Sequence, residues 1–131
     1  MSNAIWIFLG GGLGSVARWA ASLWCARHVG EAFPWGTLVV NVTGSLVIGW
    51  AAWWTGPEGR WAAPAAFRDF FLVGICGGYT TFSSFSLHTL ALAHDGEWVR
   101  AGANVVLSVV LCLAAVWAGH ALGVALAGER A

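Results

Sequence analysis

The chain has 131 residues, of which 59% are hydrophobic and only 9% are charged, whereas charged residues make up about 25% of a typical soluble domain. Six arginines and no lysine balance six acidic residues, so the formal net charge is zero. This composition excludes a water-soluble protein of this size and argues against a nucleic-acid partner, and the length predicts a single domain over residues 1–131.

Four segments are long and apolar enough to cross a lipid bilayer, which takes about 20 mainly apolar residues. They cover about residues 5–25, 35–54, 67–94 and 98–127. Polar and turn-forming residues lie between them, and tryptophans gather near their ends, as at membrane–water interfaces. The sequence therefore predicts an all-α membrane protein with four transmembrane helices per chain.

The first span carries an arginine, Arg18, which follows Gly10 and Gly14, and the spacing of these two glycines is typical of close helix packing. A charge inside the membrane is costly unless it reaches a partner or water. Arg18 therefore either extends to the nearer membrane surface or lies in a water-filled vestibule, and the residues alone leave both interpretations open.

The second span carries a polar stripe in which Thr37, Asn41, Ser45 and Gly49 recur every four residues and so share one helical face. The amide of Asn41 must either bond to a neighbouring helix or line a polar cavity. Judged by this residue alone, a bond between helices is the favoured interpretation.

The third span is unusually long. Its 28 residues would measure about 42 Å as one helix, against a hydrocarbon core of about 30 Å. Two glycines followed by two threonines predict that the helix breaks at residues 77–81. Broken backbone at membrane depth is tolerated where it is buried or lines a cavity, and its carbonyl oxygens can then hold a cation. A packing kink is the alternative, and the hydroxyls that follow make it the less favoured one.

Two phenylalanines, Phe82 and Phe85, follow the break and share a face. Phenylalanine inside a membrane usually contacts lipid or protein, but a ring edge is electropositive and can face an anion. In the fourth span, Asn104, Ser108 and Cys112 form a weaker polar track at the same four-residue spacing, for which helix packing is a serious alternative.

The arginines are spread almost evenly over the two sides of the membrane. Arg60, Arg68 and Arg130 are assigned to one side, and Arg27 and Arg100 to the other, joined by Arg18 if it extends that way. Membrane topology is normally set by an excess of basic residues on the cytoplasmic side. Such a chain either inserts both ways round and pairs antiparallel about a two-fold axis in the membrane plane, or keeps one weakly biased orientation.

With these residues the chain resembles the Fluc family of fluoride channels, also called CrcB proteins. The motifs that carry the resemblance are GGGLGSVAR at residues 10–18, GTLVVNVTGS at residues 36–45 and GICGGYTTFSSFS at residues 74–86. The resemblance implies an antiparallel, dual-topology homodimer in the cell (inner) membrane. Two pores per dimer would export toxic fluoride passively through the lipid bilayer.

The resemblance also implies roles for single residues. Phe82 and Phe85 would line each pore, Asn41 would donate a hydrogen bond to fluoride, and the Ser83 and Ser84 hydroxyls would lie nearby. Backbone carbonyls of Gly77 and Thr80 from both subunits would hold a structural Na⁺ at the dimer centre. Arg18 would lie near the aqueous vestibule, and Ser108 and Cys112 would fall on the polar track.

Two positions depart from the family pattern, and both retain hydrogen-bonding capacity. His88 stands where an acid is common, and Asn104 stands where the polar track often begins with a tyrosine. They bear on the conduction rate and its pH dependence. His88 can be protonated near neutral pH, although a buried histidine with hydrogen-bond partners is the favoured interpretation.

Three rival functions fit less well. A small dual-topology multidrug or cation exporter, the main alternative, needs a membrane-embedded glutamate, which the first span lacks. A subunit that only assembles with others would not account for the broken helix, the phenylalanine pair or the polar stripes. An enzyme is not predicted, because no nucleophile–base pair or cluster of metal ligands appears.

Overall fold

The computed structural model describes residues 2–128, and every regular element in that range is a helix. The first helix is Ser2–His28, the second is Trp35–Trp54, the third span covers residues 65–94, and the fourth helix is Trp98–Gly128. All four are long and apolar enough to cross a membrane. The prediction of four spans is confirmed, with boundaries that differ from the expected ones by a few residues. Arg130 lies outside the described residues.

The third span is three kinds of backbone joined end to end. It begins as α-helix at Ala65–Arg68, continues as π-helix through Asp69–Cys76, and returns to α-helix at Gly77–Tyr79. Two extended residues then interrupt it before the second half of the span, Phe82–His94. A π-helix carries one extra residue per turn, which rotates the faces that follow it.

The interruption is narrower than the sequence indicated. The extended backbone is confined to Thr80 (φ −85°, ψ 159°) and Thr81 (φ −154°, ψ 114°). Gly77 and Gly78, expected to form part of the break, remain helical. Gly78 packs against the first helix, because a Cβ on Gly78 would lie 2.5 Å from the Gly11 carbonyl oxygen. Gly78 therefore permits close helix contact rather than ending the helix.

Glycines set the distances between helices throughout the molecule. Gly10 and Gly14 of the first helix lie directly against the backbone of the third span. Gly49 of the second helix lies against the Val116 carbonyl of the fourth, and Gly119 lies against Leu46 in return. Because backbone meets backbone at these points, the first helix pairs with the third span and the second with the fourth.

The outer surface of the four helices is strongly apolar, which is what lipid contact requires. Phe8, Leu13 and Trp117 are at least 60% exposed, and many other large hydrophobic residues on these helices are also exposed. Tryptophans lie at the helix ends, among them Trp24 and Trp98. Arg60 lies over the Trp54 ring at 5.6 Å and donates to the Leu126 carbonyl near the end of the fourth helix. Together these features fit a multi-pass membrane protein with interfacial aromatic residues.

Candidate functional site

The helix break in the third span is held by Asn41 of the second helix. The Asn41 amide nitrogen Nδ2 donates to the Thr81 carbonyl at 3.0 Å, and its Oδ1 accepts from the Thr81 backbone N–H at 2.7 Å. The two bonds replace those that a continuous helix would give Thr81. Since an amide nitrogen has two hydrogens, one N–H of Asn41 remains for another acceptor. Asn41 thus joins two helices and still lines a cavity, so both sequence interpretations describe it.

Thr81 also starts the helix that carries the two phenylalanines. Its side-chain Oγ1 accepts from the Ser84 backbone N–H at 3.2 Å, which makes Thr81 the N-cap of Phe82–His94. Its hydroxyl also lies within 3.2 Å of both the Ser83 and the Ser84 hydroxyls. The Asn41–Thr81 pair therefore fixes the position at which Phe82 and Phe85 leave the break.

A cavity of about 650 Å³, called here the vestibule, opens on one side of the break. Arg18 lines it and donates to the Thr80 carbonyl at 3.3 Å. Arg18 therefore lies beside this cavity, and its role there remains a prediction. The polar side chains that share the lining are Ser15, Ser22, Thr37, Thr81, Ser84 and His88, with Glu31 and Asp95 in the adjoining loops.

A second cavity of about 380 Å³, called here the inner cavity, lies on the other side of the break. Five of the residues assigned to the pore by resemblance line it, together with one more member of the second-helix stripe: Asn41, Phe82, Phe85, Ser108, Cys112 and Ser45. Ser84 faces the vestibule instead. Ser83 lines neither cavity.

The two phenylalanine rings lie together at the wall of the inner cavity. Their centroids are 5.2 Å apart and the rings are tilted by 48°. Phe85 is 8% exposed, while Phe82 is 78% exposed. The Phe85 ring is therefore held by packing within the chain, whereas most of the Phe82 ring is open to contact with a neighbouring molecule.

Two buried polar groups of the fourth helix have no hydrogen-bond partner among residues 2–128. They are the Ser108 hydroxyl and the Asn104 Oδ1 atom. Asn104 is fully buried, and its Nδ2 donates to the Thr89 hydroxyl at 2.8 Å. Ser108 lines the inner cavity. Because an unpaired buried hydroxyl costs free energy, a hydrogen-bond partner supplied from the inner cavity would stabilise Ser108.

The polar stripe of the second helix connects the two cavities. Thr37 lines the vestibule, Asn41 and Ser45 line the inner cavity, and Thr81 lines both. The Asn41–Thr81 pair is therefore the wall between them. A third cavity of about 620 Å³ shares Ile48 and Leu113 with the inner cavity and continues toward His120. The three cavities form a track along the helices.

The break also diverts two backbone amides from their usual acceptors. The Thr81 N–H, which would bond to the Gly77 carbonyl in a continuous helix, donates to Asn41 instead. The Ser84 N–H, which would bond to the Thr80 carbonyl, donates to the Thr81 hydroxyl. Carbonyl oxygens released in this way suit a hard cation such as Na⁺. Within residues 2–128 no group of three or more His, Cys, Asp or Glu side chains is placed to hold a metal ion.

Three contacts at the site were not anticipated from the sequence. Thr37 Oγ1 and His88 Nδ1 are 3.0 Å apart. The Thr89 hydroxyl accepts from Asn104 and donates to the Phe85 carbonyl. Thr81 caps the helix that follows the break. Only the last had a sequence signal, a threonine directly before the helical stretch at the N-cap position. The other two depend on which helices meet.

Comparisons with known proteins point to one protein family. Residues 5–120 match the family model described as "CrcB-like protein, Camphor Resistance (CrcB)". A protein of Opitutus terrae is 60% identical over 126 residues, which is 96% of both chains. One of Rhodospirillum rubrum is 57% identical over 116 residues, covering 88% of this chain and 90% of its own. One of Methylocella silvestris is 50% identical over 122 residues and 93% of each chain. All three are named "Fluoride-specific ion channel FluC".

Proposed function

Since this chain belongs to the CrcB family and its relatives are fluoride-specific ion channels, we propose that it exports fluoride passively as an antiparallel homodimer with two pores in the cell's inner membrane. It is a multi-pass membrane protein and a fluoride channel. The observation that supports a pore at this place is the track of polar groups from the vestibule, past Asn41 and Thr81, to the inner cavity.

Passive export needs no coupling group. Fluoride enters acidified cells as HF, loses its proton and is trapped as the anion. The membrane potential, negative inside, then drives the anion outward through any selective pore. Within the described spans Asp69 is an acidic side chain that lies near a helix end, and it accepts a hydrogen bond from Asn3 at 2.8 Å. A carboxylate held in this way at the membrane edge is poorly placed to couple transport to protons.

Selectivity rests on replacing the water that fluoride gives up. Arg18 and the hydroxyls of the vestibule attract the hydrated anion. At the wall between the cavities, the second N–H of Asn41 donates to it. In the inner cavity the edges of Phe82 and Phe85, the Ser108 hydroxyl and the Cys112 thiol supply the remaining positive partial charges. Of these donors, Ser108 has no competing partner among the described residues.

A second copy of the chain would complete the site. Phe82 is 78% exposed although it lines the inner cavity, and a fully exposed pore wall is incompatible with an ion path through lipid. An antiparallel partner covering this face would close the cavity. The even distribution of arginines supports insertion in both orientations.

Sodium is the proposed structural ion of the dimer. Gly77 and Thr80 of each chain would contribute their released carbonyl oxygens, giving four ligands around the two-fold axis. The Arg18 guanidinium at 3.3 Å from the Thr80 carbonyl is compatible with this, since a carbonyl oxygen has two lone pairs. Bound there, Na⁺ would supply a fixed charge that ties the two broken helices together.

The test is fluoride efflux from liposomes containing the purified protein, with chloride as the control anion. The variant Phe82→Ala Phe85→Ala removes both rings. Its matched control is Leu87→Ala Leu90→Ala, which has the same spacing on the same helix but replaces side chains that are both 65% exposed and line neither cavity. We expect fluoride-selective efflux that the phenylalanine variant loses and the leucine variant keeps. No efflux from well-folded dimers would refute the channel.

A proton-coupled multidrug or cation exporter is the alternative function. It would show uptake of a cationic dye driven by a pH gradient in the same liposomes. We expect none, because the described spans lack a membrane-embedded glutamate.

A further inference from the structure

One titratable side chain in the vestibule has no part in the mechanism above. His88, on the second half of the third span, lines the cavity, and its Nδ1 lies 3.0 Å from the Thr37 hydroxyl of the second helix. Thr37 is 6% exposed and so provides a rigid partner. The ring is half-buried and stands in the same cavity as Arg18, directly before the wall formed by Asn41 and Thr81.

The other charged groups around this cavity come from three elements. Arg18 belongs to the first helix, Glu31 to the loop before the second helix, and Asp95 to the turn after the third span. Carboxyl groups ordinarily change charge near pH 4 and arginine does not change charge in the working range. Histidine is the side-chain type whose charge can change between pH 8 and pH 5.5, and His88 is the histidine among the described residues that line the vestibule.

We propose that His88 is an acid-responsive anion-binding residue at the pore entrance: when protonated it adds a positive charge beside Arg18, and with Thr37 it binds a small inorganic anion ahead of the pore. This inference rests on the proposed channel function and names a regulation of the same pathway. Fluoride conduction then rises as pH falls, which is the condition under which HF enters cells and fluoride accumulates.

The hydrogen-bond chemistry of the pair supports the direction of the effect. While the ring is neutral, a single hydrogen lies between His88 Nδ1 and Thr37 Oγ1, supplied by one atom or the other. A protonated ring carries hydrogens on both nitrogens, so Nδ1 donates to Thr37, and the Thr37 hydroxyl and Nε2 each keep a hydrogen for an anion. This is one donor more than the neutral pair offers in either tautomer. Protonation thus changes both the charge and the number of donors offered to an anion, without breaking the contact at 3.0 Å.

The experiment measures fluoride current across planar bilayers containing the channel, because neutral HF carries no current. Wild type, His88→Gln and His88→Arg are compared from pH 8 to pH 5.5 at low ionic strength. The matched control is His94→Gln, which removes an exposed imidazole of the same helix that does not line the vestibule. Chloride current is recorded alongside to monitor selectivity.

We expect the wild-type current to rise by up to about tenfold as pH falls, the low end of ion enrichment in charged clefts. His88→Gln should give a low, flat profile and His88→Arg a high, flat one, with selectivity for fluoride unchanged. The rise should shrink in high salt, since the added charge is screened. A flat wild-type current, or an unchanged slope in His88→Gln and His88→Arg, would overturn the role of His88 while leaving the channel intact. Absence of any fluoride current would overturn both.

Discussion

The bonds between Asn41 and Thr81 should be the most consequential polar contact in the molecule. Replacing Asn41 with alanine removes hydrogen bonds of 2.7 and 3.0 Å and leaves both the N–H and the C=O of Thr81 without those partners at membrane depth. Polar contacts between membrane helices are worth about 0.6 to 1.7 kcal/mol each. We therefore expect Asn41→Ala to lower the free energy of unfolding by about 1 to 3 kcal/mol.

The variant should also lose fluoride conduction beyond what its stability explains. Thr81 caps the helix that carries Phe82 and Phe85, so a displaced break moves both rings. Stability is measured by SDS titration in mixed micelles, followed by the fluorescence of the ten tryptophans. Conduction is measured on the variant that remains folded, as fluoride efflux from liposomes.

Ser45→Ala provides the matched control. Ser45 lies one turn further along the same helical face and lines the same inner cavity. Its loss should change the unfolding free energy by about 0.5 kcal/mol or less. If Asn41→Ala proved as stable as Ser45→Ala, the two bonds would not be what holds the break in place.

Three further outcomes are expected from single substitutions. Gly49→Ala places a Cβ directly against the Val116 carbonyl and should destabilise the protein by about 1 to 3 kcal/mol in the same SDS titration. The control is Gly102→Ala, whose added Cβ meets nothing within 4 Å and which should be neutral or slightly stabilising. Equal effects of the two substitutions would contradict the close packing of Gly49. Ser108→Ala removes a hydroxyl with no partner among the described residues. Fluoride efflux should therefore slow several-fold while the free energy of unfolding is preserved. A large loss of stability would indicate a structural role for Ser108 instead. Arg18→Gln keeps a donor for the Thr80 carbonyl but removes the positive charge. Fluoride current should therefore fall at low ionic strength and recover toward the wild-type current in high salt. A fall of equal size at every salt concentration would exclude an electrostatic role for Arg18.

Only part of the candidate site could be predicted from the sequence. The stripe of Thr37, Asn41 and Ser45 follows from helix periodicity, and the structure brings these residues along one track. The sequence did not separate Ser84, which faces the vestibule, from Ser83, which lines neither cavity. Both follow the break by two or three residues, and their directions depend on how the new helix starts. The roles of these residues in conduction remain predictions.

The four spans and the polar faces were determined by the sequence alone, because length, hydropathy and a spacing of four residues act within one helix. Only the tertiary structure decided which side chains on different helices bond to each other. Asn41 meets Thr81 across 40 residues, and Thr37 meets His88 across 51. It also decided that Gly78 stays helical, since the first helix packs against it. Contacts between helices depend on how close two backbones can come, which no single segment of the sequence encodes.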